Sequence, residues 1–154
     1  MTVIGASFNA NTELPTTLPL IDTYTHFDAP VFDADRDQQI QQAYQQGIRH
    51  LVLVGYLQRH FQRLYDTERL INERYPSSNA GQADAPQQPH LKAHIALGLH
   101  PFYIEQHTEA PLESMAQMLD KKPPLAFGEI GFDTFTEEMI QTELFAKQQL
   151  LFNA

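Results

Sequence analysis

Cysteine is absent from this 154-residue chain. Thiol ligands and a Cys nucleophile are thereby excluded, no disulfide ties the fold to an oxidising compartment, and the expectation is a cytoplasmic protein. Long apolar runs are missing too. Nothing approaches the roughly 18 to 20 residues of a membrane span, and Met1 to Leu20 lacks the basic start and apolar core of a signal peptide. No membrane role is expected. Positive charge is scarce, with 10 Lys and Arg against 19 Asp and Glu for a net charge of −9. Holding nucleic acid by bulk charge draws on Lys and Arg, so that class is disfavoured. Phosphate chemistry through bound cations stays open, because divalent ions invert the local field. Glycine numbers only 7, and Gly128-Glu-Ile-Gly131 lacks the spacing and the Lys of a phosphate-cradling loop. There is no Gly-x-Ser-x-Gly elbow, and Ser7, Ser77, Ser78 and Ser114 stand in no nucleophile-like context.

What is present is enough apolar residue, 42% of the chain, to bury one core. After a polar leader, Met1 to Thr17, four apolar runs follow: Leu18-Pro-Leu-Ile-Asp22, Leu51-Val-Leu-Val-Gly55, His94-Ile-Ala-Leu-Gly98 and Pro124-Leu-Ala-Phe-Gly128. Near-continuous hydrophobicity over so few residues suits strands of a parallel sheet buried on both faces. A helical stripe follows each: Ile40, Ala43, Tyr44 and Ile48; Phe61, Leu64, Tyr65, Leu70 and Ile71; Leu112, Met115, Ala116 and Leu119; and Ile140, Leu144, Phe145, Gln148 and Leu151. Four β-α units with right-handed crossovers give an α/β fold. Either an open doubly wound sheet or the first half of a (β/α)8 barrel accommodates them. The chain stops directly after the fourth helix and reads as the first part of something longer. Ser77 to Pro89 has no large apolar residue and reads as a flexible loop between the second helix and third strand, away from the strand ends where parallel sheets carry their sites.

Polar residues cluster where three of the four strands end. Strand one runs into Asp22-Thr-Tyr24-Thr-His26-Phe-Asp28, strand three into Gly98-Leu-His100-Pro101, and strand four into Gly128-Glu129-Ile-Gly131-Phe-Asp133. Asp22, Tyr24 and His26 alternate, which places them in one column of a strand. Curling the sheet aims His26, His100 and Glu129 at a common centre, a candidate metal or phosphate site. The other histidines, His50, His60, His90, His94 and His107, show no ligand spacing and read as surface or second-layer residues.

Ile21-Asp-Thr-Tyr-Thr-His-Phe-Asp28, Phe32-Asp-Ala-Asp35, Gly98-Leu-His-Pro101 and Gly128-Glu-Ile-Gly-Phe-Asp133, in this order, resemble the TatD-type metal-dependent deoxyribonucleases and hydrolases. The resemblance extends from about Leu18 to Leu151, with Ser77 to Pro89 as an insertion. It implies that residues 18–154 form the N-terminal half of a (β/α)8 barrel, whose complete site holds one or two divalent ions (Mg, Mn or Zn) and hydrolyses phosphodiester bonds of DNA or a small phosphoester. It implies His26 as metal ligand, Glu129 as bridging carboxylate and catalytic residue, His100 as a catalytic residue near the substrate phosphate, and Asp22 and Asp133 as supports. The family's first-strand motif is His-x-His, and here Tyr24 replaces the first His. A phenol ionises near pH 10 and binds metal well only after losing that proton. His26 and Glu129 supply two of roughly four ligands a metal site requires, so weak catalysis is expected from this chain alone. The alternative is a non-catalytic half-barrel that serves interaction or self-association through open sheet edges. A third reading is an open α/β domain holding a small ligand at its strand ends.

Overall fold

The computed structural model of the chain describes residues 19–75, 90–107 and 109–153. The leader Met1 to Thr17 and the Ser77 to Pro89 segment lie outside the described residues.

Four strands alternate with four helices: β1 Leu20–Thr25, α1 Arg36–Gln45, β2 Ile48–Val54, α2 Phe61–Arg74, β3 Lys92–Leu97, α3 Glu109–Lys121, β4 Ala126–Phe127 and α4 Thr142–Phe152. The strands pair in parallel, in the order β1-β2-β3-β4. That order has no reversal. An open doubly wound sheet turns back at a switch point and places helices on both faces, whereas sequential neighbours keep them on one. The core confirms this: Leu51, Leu53, Ala93, Ile95 and Leu97 of β2 and β3 pack with Ile40 of α1, Phe61, Leu64 and Ile71 of α2, and Leu112, Met115 and Leu119 of α3. Each fully buried Leu, Ile or Phe stabilises the layer by roughly 1.5–3 kcal/mol. The architecture is therefore the curled half-barrel, and the open sheet is set aside.

Local chemistry explains the boundaries. Gly47 ends α1 at φ +94°, a backbone state that only glycine adopts readily, and hands the chain directly to β2. Ile48, which shares the helical spacing of Ile40 and Tyr44, accordingly opens a strand instead of extending the helix. Ile140 likewise falls before α4, which starts at Thr142, and stands exposed. Asn72 of α2 clamps β3 by donating to the Ala93 carbonyl and accepting from its N–H, at 3.2 and 2.9 Å. Beside it the buried Glu68 pairs with Lys122.

The expectation of strands buried on both faces holds only in the middle of the sheet. Leu20, Ile21, Leu125 and Phe127 are exposed. The physical reason is that β1 and β4 each pair with one neighbour among the described residues, and the helices form one layer.

Candidate metal and active site

All three expected strand ends meet on one rim. The Tyr24 hydroxyl donates to Glu129 Oε1 at 2.6 Å, and His26 Nε2 stands 3.4 Å from the same hydroxyl. The Tyr24 and His26 rings meet edge to face, 5.1 Å between centroids. His100 Nε2 lies 3.3 Å from Glu129 Oε1. Its Nδ1 accepts the Phe102 N–H at 2.9 Å, so a neutral His100 carries its proton on Nε2 and presents it to the carboxylate. Tyr24, His26, Tyr56, His100, Tyr103 and Glu129 line one open depression.

The main chain of β2 and β3 sets Glu129 in place. Its N–H donates to the Gly55 carbonyl at 3.0 Å, and the Gly128 N–H donates to the Leu97 carbonyl at 3.1 Å. This crossing passes directly over Gly98, where a methyl group would overlap the Gly128–Glu129 peptide. The glycine before Leu99-His100 is therefore a requirement of close approach. His100 is set in turn by its own N–H, which donates to the Tyr56 carbonyl at 3.0 Å.

The supporting carboxylates act locally. The β1 register shifts between Asp22 and Thr25, and the Asp22 carboxylate accepts the Tyr24 N–H at 3.0 Å. Asp133 accepts the Phe135 N–H at 2.8 Å, while its own N–H and carbonyl are held by the buried Gln148 of α4 at 2.7 and 2.9 Å. The loop that carries Glu129 is thereby fastened to α4.

Electrostatics separates Tyr24 from a ligand in the ordinary sense. Its hydrogen bond to Glu129, then burial, then the Glu129 charge push the phenol up to about 12. It is a proton donor to the carboxylate at neutral pH. Below the rim, Asp28 has no solvent exposure, and neither carboxylate oxygen has a hydrogen-bond partner. Burial pushes its carboxyl above the usual range, against the charges of His26, His60 and Arg36. Burial also pushes His60 and His107 below the ordinary imidazole value.

Four participants escape the strand-end pattern. Tyr56, at the end of β2, packs edge to face on His26 at 5.1 Å and against His60 at 5.2 Å and Tyr103 at 5.6 Å. Its signal was its place just after Gly55, the one strand end without a polar cluster. Asp28 belongs to the first-strand motif, but nothing in its spacing marks it as buried. His60 meets Tyr56 instead of standing apart. His107 is neither surface nor incidental: it is buried, and its Nε2–H donates to the His100 carbonyl at 2.8 Å. A lone His just after a short 3-10 segment carries no periodic signal.

Among the described residues, no group of three or more His, Asp or Glu is arranged to hold a metal ion, and no helix is long and apolar enough to cross a membrane. Residues 21–152 match the family model described as TatD related DNase. Over 120 residues the chain is 32% identical to a protein of Escherichia coli K12 described as an uncharacterized metal-dependent hydrolase, YjjV; the match covers 77% of this chain and 39% of that one. The crystal structure of YjjV, described as a TatD homologue, superposes with a TM-score of 0.63 at 32% identity over 86% of this chain and 43% of the other. The chain thus spans less than half the length of the relative it matches.

Proposed function

We propose, on the footing that this chain belongs to the TatD-related DNase family, that it contributes the first-half residues of a metal-dependent site that hydrolyses phosphodiester bonds in DNA or a small phosphoester. The observation that carries this reading is the meeting of Tyr24 and His100 on the carboxylate of Glu129 at the strand-end rim, with His26 beside the Tyr24 hydroxyl. An imidazole nitrogen and a carboxylate oxygen, both within reach of one phenol oxygen, suit a divalent ion as part of its coordination. His26 and Glu129 are the ligands this chain offers, with Tyr24 at the position of the family's first His. A bound divalent ion supplies Lewis acidity toward a phosphoryl oxygen. The chain's own groups do the rest. Glu129 is oriented by the Gly55 carbonyl and the Tyr24 hydroxyl, His100 points an N–H at the carboxylate beside the depression, Asp133 ties down the loop after Glu129, and Asp22 accepts the N–H of Tyr24 within β1.

Calorimetric titration with Mn2+, alongside hydrolysis of bis(p-nitrophenyl) phosphate, tests this. One ion or more per chain, with both binding and turnover lost in Glu129→Gln, is the expected result. Binding unchanged in that variant overturns it. A second reading is self-association, for which the exposed Leu20 and Ile21 of β1 and Phe127 of β4 would supply the surface. Contiguous apolar strand edges invite a partner.

A further inference from the structure

Towards the strand starts, away from the rim, two imidazoles bridge neighbouring strands. His50 of β2 and His94 of β3 are both half-buried, with His50 Nδ1 and His94 Nε2 3.2 Å apart and the rings stacked at 5.4 Å between centroids. Their strand neighbours Leu51, Leu53, Ala93 and Ile95 pack into the helix layer, so alternation puts both histidines on the other face of the sheet. A neutral imidazole offers one N–H and one lone pair, and the bridge needs one of each. It survives one extra proton on the pair, because one ring can still accept. Two extra protons leave a donor facing a donor and two like charges in contact.

The charged groups around the pair add to that repulsion or are held elsewhere. Lys92 stands opposite His50 in register and, two residues before His94, on the same face of β3. His90 sets its ring edge-on to His50 at 6.0 Å. From α2 comes Glu68, whose carboxylate already takes Lys122 and the Asn72 side-chain amide. Arg49 lays its guanidinium over Tyr44 and donates to the Tyr44 and Ile48 carbonyls at 2.7 and 2.8 Å. β1 sets the apolar Ile21 opposite His50. Burial, then His50, then Lys92 hold the His94 ring below the ordinary imidazole value, against a pull from Glu68.

We propose that the His50–His94 pair is a proton-operated clasp on the start of the sheet, closed while the two rings share at most one extra proton and open once both are charged. The unfolded chain protonates position 94 at a higher pH than the folded one. The stability that the closed pair contributes is therefore present above about pH 6.5 and is lost as pH falls through the lower folded value. Opening is local. Asn72 holds Ala93 through its N–H and its carbonyl, neither of which titrates, so β3 keeps its register and the rim its geometry.

Imidazole nitrogen NMR of the full chain reads the clasp directly. Near neutral pH a nitrogen–nitrogen coupling across the hydrogen bond should join His50 Nδ1 to His94 Nε2, and it should vanish as His94 titrates, below the ordinary 6.5. Hydrogen exchange over residues 91–94, corrected for the intrinsic effect of pH, should lose about tenfold in protection for each unit by which His94 lies below its unfolded value. In His50→Gln, whose amide can pair with His94 without taking a charge, the His94 midpoint should rise toward the ordinary value and the loss of protection should flatten. A His94 that titrates alike in both proteins overturns the proposal, as does a wild type without the coupling or one whose exchange ignores pH. Should His50→Gln fail to fold, the wild-type coupling and exchange decide.

Discussion

The Tyr24 hydroxyl and the Glu129 carboxylate, 105 residues apart in the chain, share a 2.6 Å hydrogen bond across the rim. The phenol belongs to the first strand unit and the carboxylate to the fourth, so the bond closes the site between the two edge strands. It also holds the phenol protonated, since an ionised Tyr24 would repel the carboxylate it now serves.

Alkaline titration should show one tyrosine ionising near 12. Its folded value exceeds the unfolded value of about 10, so the stability it contributes is complete below about pH 10 and is lost as pH rises toward 12. Glu129→Gln should return Tyr24 toward 10, read by difference ultraviolet absorbance. An unmoved transition would remove Glu129 as the cause.

Tyr24→His should tighten divalent-metal binding by about tenfold or more. At pH 7 a phenol with a value near 12 is ionised in only about one molecule in 100,000, whereas a neutral imidazole needs no such deprotonation. Calorimetry on parent and variant decides; equal affinities would make the position a bystander.

Gly98→Ala places a methyl group into the Gly128–Glu129 peptide. Overpacking of this kind destabilises by about 1–3 kcal/mol, and here the group displaced is Glu129 itself. Denaturant melts should register the loss, and Mn2+ affinity should fall with it. A variant destabilised but binding normally would show that Glu129 re-seats.

His107 is buried with its value pushed below the ordinary 6.5. The unfolded chain then takes up a proton at a higher pH than the folded one. The stability His107 contributes is present above about pH 6.5 and is lost as pH falls through the lower folded value. His107→Gln should lessen the acid-side decline of urea stability, compared between pH 5.5 and 7.5 at roughly the unperturbed imidazole range. Parallel declines in both proteins would assign the effect to His60 and His94, which shift in the same direction.

Charged substitutions on the sheet edges, Ile21→Lys with Phe127→Lys, should lower any self-association of the chain in sedimentation experiments. Both side chains are more than half exposed, at 61% each, so surface substitution there should change stability by little, within about 0.5 kcal/mol. Unchanged sedimentation would remove those edges as a docking surface.

Much of this was legible in residue order. Apolar runs placed the strands, helical spacing placed α2 and α3, and even Gln148, spaced among apolar positions of α4, proved to be buried as a latch on Asp133. The strand-end rule found Tyr24, His26, His100 and Glu129. It passed over Tyr56, because a tyrosine closing an apolar run looks like core. Asp28 and His107 escaped because burial of a polar side chain depends on what folds over it, and local spacing holds no record of that.

Glu129 is seated by the carbonyl of Gly55, with Gly128 seated by that of Leu97, and a carbonyl is the same in every residue type. The address of the carboxylate is therefore written in backbone, and a point mutation reaches it only by crowding the crossing, as at Gly98. A substitution at position 24 should accordingly leave the main chain of Glu129 where it is.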